Sequence, residues 1–183
     1  HSFHEEYPDI SMEIFQGTYD DVVYWIKNGV VDVGFLSVSS AADIPIEPLY
    51  KDPLLCVVQK GRRTSKEPMS IEEMKNCQFV TQRESTDADI QNFMKENHLD
   101  VRSSYHVVDD LSTVVMVANG FGICLMPEMV MKDIPYEVDC FPVKPDACRI
   151  IGIAALNPDN MAPAVRTFYN RVLAMYQQEE YVK

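Results

Sequence analysis

Residues 117–129, VANGFGICLMPEM, place two glycines between a helical pattern and a short apolar run. Apolar residues recur at helical spacing over 111–118. Gly120 is therefore expected to end that helix in a left-handed conformation, and Gly122 to allow a tight turn into a buried strand, ICLM. Pro127 stops the strand and can open the next helix. A helix, a glycine turn and a short buried strand in this order are typical of an α/β fold.

The first part of the chain shows the same logic. Apolar alternation in DISMEIF predicts a strand over 10–14. Thr18, with an acidic residue three positions on, forms a weak capping box for a helix with apolar residues over 19–26, and Gly29 closes it. The run VVDVGFL (30–36) is apolar on both faces except for one aspartate, which favours a buried strand of a parallel sheet. These elements predict a βαβ unit.

Strand and helix patterns continue to alternate through the rest of the chain. They are an extended stretch at 46–60, a helix capped by Ser70 and Glu73, a strand at 78–82, a helix carrying Ile90, Phe93 and Met94, a strand at 104–108, a helix from Asp110 to Ala118, a strand at 148–156 and a tail helix from Ala162 to about Glu180. With 183 residues, 46% of them apolar, the chain can bury one core or two small ones.

The fold class expected is α/β, with two Rossmann-like lobes. Strands near 54–59 and 149–155 are expected to cross between the lobes, so that residues 1–57 with 150–183 form lobe I and residues 58–149 form lobe II. In open parallel sheets, small ligands lie at the carboxyl ends of the strands.

This rule selects the candidate ligand-binding residues. They are Gly17, Thr18, Leu36, Ser37, Thr81, Gln82, Arg83, Ser85 and Thr86. Arg83 can add a charge-assisted bond to a carboxylate, and a helix opening at Thr86 offers free amides to an anion. The alternatives are that Arg83 is a solvated arginine and that Ser85 and Thr86 are plain helix caps.

Other classes of site are not indicated. The four histidines lack metal-ligand spacing, no Ser/His/Asp set can be nominated, and no phosphate loop is present, so we expect no catalytic residue, metal or cofactor. The net charge of −12, with one short basic run at 60–63, argues against a nucleic-acid surface on this piece. No apolar stretch is long enough to span a membrane, no signal peptide is visible, and five cysteines without paired spacing favour a reducing, cytoplasmic location.

Three motifs together resemble the effector-binding domain of LysR-type transcriptional regulators. Residues 5–36, EEYPDISMEIFQGTYDDVVYWIKNGVVDVGFL, are similar to its opening, 48–63 to its P-L-x-x-D-x-L-x-x-V block, and VANGFGICLMPEMV to its late glycine–proline motif. The positions that match the opening are Phe3, Tyr7, Pro8, Gly17, Thr18, Gly29, Asp32 and Gly34. The resemblance covers essentially the whole chain.

The resemblance implies a fold like a type 2 periplasmic binding protein, with a small effector, often a carboxylate, in the cleft between the lobes. It implies a homodimer or tetramer formed through effector domains, with the strand near 10–15 of one copy facing the second lobe of the other. DNA would be bound only through an N-terminal winged helix-turn-helix, which this sequence lacks. The family's first strand is also missing, so the chain is expected to be N-terminally truncated and lobe I to have a gapped sheet.

Two alternatives use the same fold. A solute-binding protein of a transporter would need a secretory or lipoprotein signal, and the five cysteines weigh against export. An enzyme would need a paired acid and base in the cleft, and the sequence offers none.

Overall fold

The computed structural model describes residues 2–82, 88–101 and 103–177. The chain divides into two compact units, residues 1–51 with 150–183 (unit 1) and residues 52–149 (unit 2), so it crosses between them twice. The helices are α1 (Ser2–Glu6), α2 (Tyr19–Lys27), α3 (Ile71–Lys75), α4 (Ala88–Glu96), α5 (Asp110–Ala118), α6 (Glu128–Met131) and α7 (Pro163–Gln177), with a 3₁₀ turn at Val38–Ser40. The strands are β1 (Gly34–Ser37), β2 (Ile46–Gln59), β3 (Met69–Ser70), β4 (Phe79–Gln82), β5 (Ser103–Val107), β6 (Cys124–Pro127), β7 (Val138–Lys144) and β8 (Cys148–Ala154).

Unit 1 contains a small sheet with helices on both faces. β1 pairs antiparallel with β8, with Gly34 opposite Ala154 and Ser37 opposite Ile151, and β8 lies beside β2. Ala154 packs in a cluster with Ile26 of α2, whereas its neighbour Ile153 packs in a cluster that includes residues of α7. Since successive strand residues point to opposite faces, α2 and α7 cover opposite faces of the sheet.

The strand predicted over 10–14 is wrong. Residues 10–17 adopt no strand, and Ile14 is 90% exposed. The strand predicted over 30–36 is also shorter than expected, because only Gly34–Ser37 finds a partner in β8. A strand needs a neighbour for its backbone hydrogen bonds, and within the described residues β1 pairs only with β8.

Unit 2 is built on a mixed sheet. Here β2 lies between β6 and β7, antiparallel to both, and β3 joins β7 in parallel. The βαβ unit formed by β4, α4 and β5 has its two strands paired in parallel. A parallel bridge from Phe79 to Ile123 links β4 to the start of β6.

The core of unit 2 also lies on both faces of its sheet. Cys56 belongs to a cluster with residues of α3 and α4, such as Met74 and Phe93. Its neighbour Val57 belongs to a cluster with Val114 and other residues of α5. Unit 2 is therefore a three-layer α/β/α structure like unit 1.

The glycine turn at 120–122 forms as expected. Gly120 follows α5 at a φ of +82° and donates its N–H to the carbonyl of Val117. At Gly122 a Cβ would lie 2.4 Å from the carbonyl oxygen of Gln78. The main chain therefore passes against the strand that begins at Phe79, and only glycine leaves room for this approach.

The predicted helix caps are largely confirmed. Thr18 with Asp21, and Ser70 with Glu73, form complete capping boxes. The cap of α5 is Asp109 rather than Asp110, because the carboxylate of Asp109 accepts the N–H of Ser112 at 2.8 Å. In the described ranges, no helix is long and apolar enough to cross a membrane.

Candidate functional site

Thr18 lies in unit 1, immediately before α2. Its hydroxyl donates to Oδ2 of Asp21 at 2.8 Å and accepts the N–H of Asp21 at 3.2 Å. The hydrogen bond from the Thr18 side chain holds the pKa of Asp21 below its usual range. The observed role of Thr18 is thus helix capping, and the residue is partly exposed.

Gly17 is required by close packing. A Cβ at this position would lie 2.6 Å from the ring of Trp25 and 2.9 Å from Cβ of Asp21. Trp25 also contacts Phe15, with 5.7 Å between the ring centroids. The chain can therefore pass over the indole only because residue 17 has no side chain.

Leu36 and Ser37 end β1, and both are fully buried. The Leu36 side chain belongs to the apolar cluster under α2, so any contact from this residue to a ligand would come from its backbone. The Ser37 hydroxyl lies 3.1 Å from the hydroxyl of Ser39, in the 3₁₀ turn that follows the strand. β1 thus delivers a pair of hydroxyl groups at its carboxyl end.

Ser40 was not named from the sequence. Its buried hydroxyl has no hydrogen-bond partner among the described residues. Such a group is costly to bury unless something hydrogen-bonds to it, which marks the turn as a place where a polar ligand or water can be bound. The signal in the sequence was the run S-V-S-S directly after a buried strand.

Thr81 is the candidate residue in unit 2 whose side chain is best defined. Its hydroxyl donates to the carbonyl of Tyr105 at 3.3 Å and lies 3.0 Å from Nδ1 of His106 on the paired strand. Gln82 ends β4 opposite Val107. The other three candidates, Arg83, Ser85 and Thr86, lie outside the described residues.

A cavity of about 470 Å³ opens beside Thr81 within unit 2. Its lining residues are Thr81, Gln91, Met94, Lys95, His98, Leu99, Asp100, Val101, Ser103 and His106. The volume suits a small molecule, and the lining offers hydroxyl, imidazole, ammonium and carboxylate groups.

The Thr81 hydroxyl and the His106 ring form a hydrogen-bonding pair across β4 and β5. A hydroxyl nucleophile needs a base that is itself oriented by a third group. In the described part of the chain, His106 contacts no carboxylate that could orient its ring. The described residues also contain no group of three or more His, Cys, Asp or Glu side chains placed to hold a metal ion.

The cysteines are free thiols, and two of them are deeply buried. Burial raises the pKa of Cys56 to about 12 and raises that of Cys124 well above its ordinary value. Because the thiolate is the reactive form, these two residues act as apolar core residues.

The short basic run at 60–63 is engaged within unit 2. Lys60 pairs with Glu137 at 2.8 Å, and Arg63 pairs with Glu73 at 3.1 Å. The Arg63 guanidinium also lies 4.6 Å from the centroid of the Phe141 ring. Lys60 and Arg63 are thus each paired with a carboxylate of unit 2.

Comparison with solved structures identifies the fold. The regulatory domain of CcmR from Synechocystis PCC6803, solved in complex with 2-PG, superposes with a TM-score of 0.87 at 16% identity, covering 97% of this chain and 89% of that one. The effector-binding domain of QuiR, in complex with shikimate, gives a TM-score of 0.83 at 22% identity, covering 97% and 88%. The expected α/β fold, similar to type 2 periplasmic binding proteins, is confirmed.

Comparison with sequences identifies the family. A regulator from Bacillus subtilis, the uncharacterized HTH-type transcriptional regulator YoaU, is 22% identical over 174 residues, covering 91% of this chain and 58% of the regulator. The chain thus spans about three fifths of the length of the curated relatives it matches. The family model of the LysR substrate binding domain matches residues 1–177. The chain therefore belongs to the LysR substrate-binding domain family.

Proposed function

We propose that this chain is the effector-sensing domain of a LysR-type transcriptional regulator. The single observation that carries the proposal is the family match over residues 1–177. The named relatives are transcriptional regulators and are longer than this chain, which leaves room in them for a separate DNA-binding region. In this proposal DNA is bound only by such an N-terminal winged helix-turn-helix, and the substrate-binding domain controls that contact. The same relatives argue against a transporter's solute-binding protein.

We propose that the effector is a small anion and that residues at the carboxyl ends of the strands bind it. Within unit 1 the hydroxyls of Ser37, Ser39 and Ser40 support this proposal, and within unit 2 the hydroxyl of Thr81 supports it separately. Arg83 is proposed to supply the positive charge that a carboxylate needs. The related domain of QuiR was solved with shikimate, a hydroxylated carboxylic acid, which is the kind of ligand that such groups would bind.

A thermal-shift screen of small carboxylates and aromatic acids, including shikimate, tests the proposal on the full-length regulator. A ligand at a hundredfold excess over its Kd stabilises the folded state by about 2.7 kcal/mol. For a domain of this size, this is a rise in Tm of roughly 5–10 °C.

Two arginine variants locate the anion site. Arg83→Ala should abolish the shift given by an acid, whereas the matched control Arg62→Ala, at an exposed position of the basic run, should retain it. A shift that survives in Arg83→Ala would show that Arg83 is not the anion contact. A screen without any shift from any acid would count against the proposed effector class.

We also propose that effector domains of this chain pair as a homodimer. Residues 12–15 support this, since Met12, Ile14 and Phe15 are 46%, 90% and 44% exposed. Exposed apolar stretches mark contact surfaces between proteins, and two-fold dimers are the commonest oligomers.

Light scattering at micromolar concentration tests the pairing. Ile14→Glu should shift the protein toward monomer, and the control Leu156→Glu, at an apolar position that is 55% exposed, should not. A wild-type protein that is monomeric at this concentration would refute the proposal.

A further inference from the structure

Asp52 is a charged residue placed inside an apolar strand. It belongs to β2, in the sequence YKDPLLCVV, and its side chain is 0% exposed. Among the residues that the structure describes, Asp52 is the only charged residue that is buried. Burying a carboxylate in this position destabilises the fold unless hydrogen bonds replace its contacts with water.

Both oxygens of Asp52 accept a directed hydrogen bond. Nε of Arg149 donates to Oδ2 at 2.9 Å, and this arginine side chain is only 11% exposed. The backbone N–H of Met129 donates to Oδ1 at 2.9 Å. Met129 lies in the first turn of α6, whose N-cap residue, Pro127, provides no side-chain cap. One carboxylate thus ties together β2, β8 and α6.

The ion pair lies where the chain crosses between the units. Asp52 and Arg149 are the first and last residues of unit 2, so each crossing contributes one partner. Two residues further into unit 2, the N–H of Leu54 donates to the carbonyl of Ala147 at 2.9 Å. On the unit 1 side, Gly152 of β8 packs directly against β2, since a Cβ there would lie 2.7 Å from the carbonyl oxygen of Glu47.

We propose that the Asp52–Arg149 pair is a clasp that makes the two crossing strands move as one element. β2 and β8 are neighbours in one sheet, and an apolar contact at this point would add no directed bond to that pairing. A buried carboxylate with two directed donors does, because any slip of one strand along the other leaves a buried charge unpaired. In a domain that senses an effector, as proposed above, such a clasp would transmit a movement of one crossing strand to the other.

Hydrogen–deuterium exchange on the full chain tests the clasp without any ligand. The exchange rates can therefore be interpreted even if the effector screen finds no ligand. Asp52→Asn keeps the shape and one acceptor but removes the charge, and Arg149→Met removes the donor. Each should raise exchange about tenfold or more over both 46–53 and 148–152, because local opening of the crossing strands becomes easier. The double variant should show no larger rise in exchange than either single variant, as expected for two residues that act through one interaction.

A matched control separates the clasp from general destabilisation. Arg63 is equally buried, with a side chain 11% exposed, and is paired with Glu73 within the same unit. Arg63→Met should raise exchange around 60–75 and leave the crossing strands at wild-type rates.

Three results would overturn the proposal. They are wild-type rates over both crossing segments, a rise in only one segment, or an equal rise throughout both units. If Arg149→Met does not fold, the isosteric Asp52→Asn decides alone.

Discussion

Replacing Leu36 by alanine tests whether the end of β1 is held by core packing. Leu36 is fully buried and packs with Ile26, Ile44 and Ala154 under α2. Leucine-to-alanine changes at such sites cost about 2–5 kcal/mol, and the upper part of this range applies where the surroundings cannot collapse. Here β1 is fixed to β8 across Leu36 and Gly152, so the cavity should persist.

Circular dichroism measures this loss, in urea as a free energy of unfolding and on heating as a fall in Tm. With about 4–5 kcal/mol lost and roughly 2–4 °C of Tm for each kcal/mol in a domain of this size, Leu36→Ala should melt about 8–20 °C below wild type. The matched control Leu156→Ala, at a position 55% exposed, should stay within about 0.5 kcal/mol of wild type. If the two variants lose equal stability, Leu36 is not a core residue and the description of β1 is wrong.

Three further outcomes are expected. Gly122→Ala should lower the Tm by several degrees, because its Cβ would overlap the backbone of the neighbouring strand; an unchanged melting curve would contradict this close approach. In iodoacetamide labelling at pH 8 read by mass spectrometry, exposed Cys140 should react well before Cys56, whose pKa is raised to about 12 by burial; equal rates would contradict the burial of Cys56. Thr18→Ala should cost about 1 kcal/mol in urea unfolding at neutral pH. Since the folded pKa of Asp21 is lowered, the part of this contribution that comes from the hydrogen bond of Thr18 to the Asp21 carboxylate is complete above the ordinary value of 3.8 and is lost as the pH falls below it, so the gap between Thr18→Ala and wild type should narrow in acid. A gap of unchanged size at low pH would show that the charge of Asp21 has no part in the cap.

The candidate site could be predicted only in outline. An apolar run followed by hydroxyl residues can be recognised in a sequence as the end of a buried strand. This pattern selected Ser37 and Thr81 as candidates. Their partners could not be predicted, because Tyr105 and His106 are some twenty-five residues from Thr81 along the chain and come beside it only when β4 and β5 pair. The unpartnered hydroxyl of Ser40 is likewise a property of the packed turn.

The sequence by itself determined the features that depend on a few neighbouring residues. The capping boxes at Thr18 and Ser70 formed as expected, because their hydrogen bonds join residues only three positions apart. The turn at Gly122 formed as expected because it depends on the absence of a side chain there. The alternation over 10–14 was equally clear but formed no strand, because a strand requires a second strand to complete its hydrogen bonds.

Only the tertiary structure decided the pairing of Asp52 with Arg149, residues 97 positions apart. Burying a charged residue in an apolar strand destabilises the fold if only its sequence neighbours are considered. The hydrogen bond that offsets this cost comes from a donor far away in the sequence. The sheet brings that donor to within hydrogen-bonding distance, and no local pattern in the sequence records it.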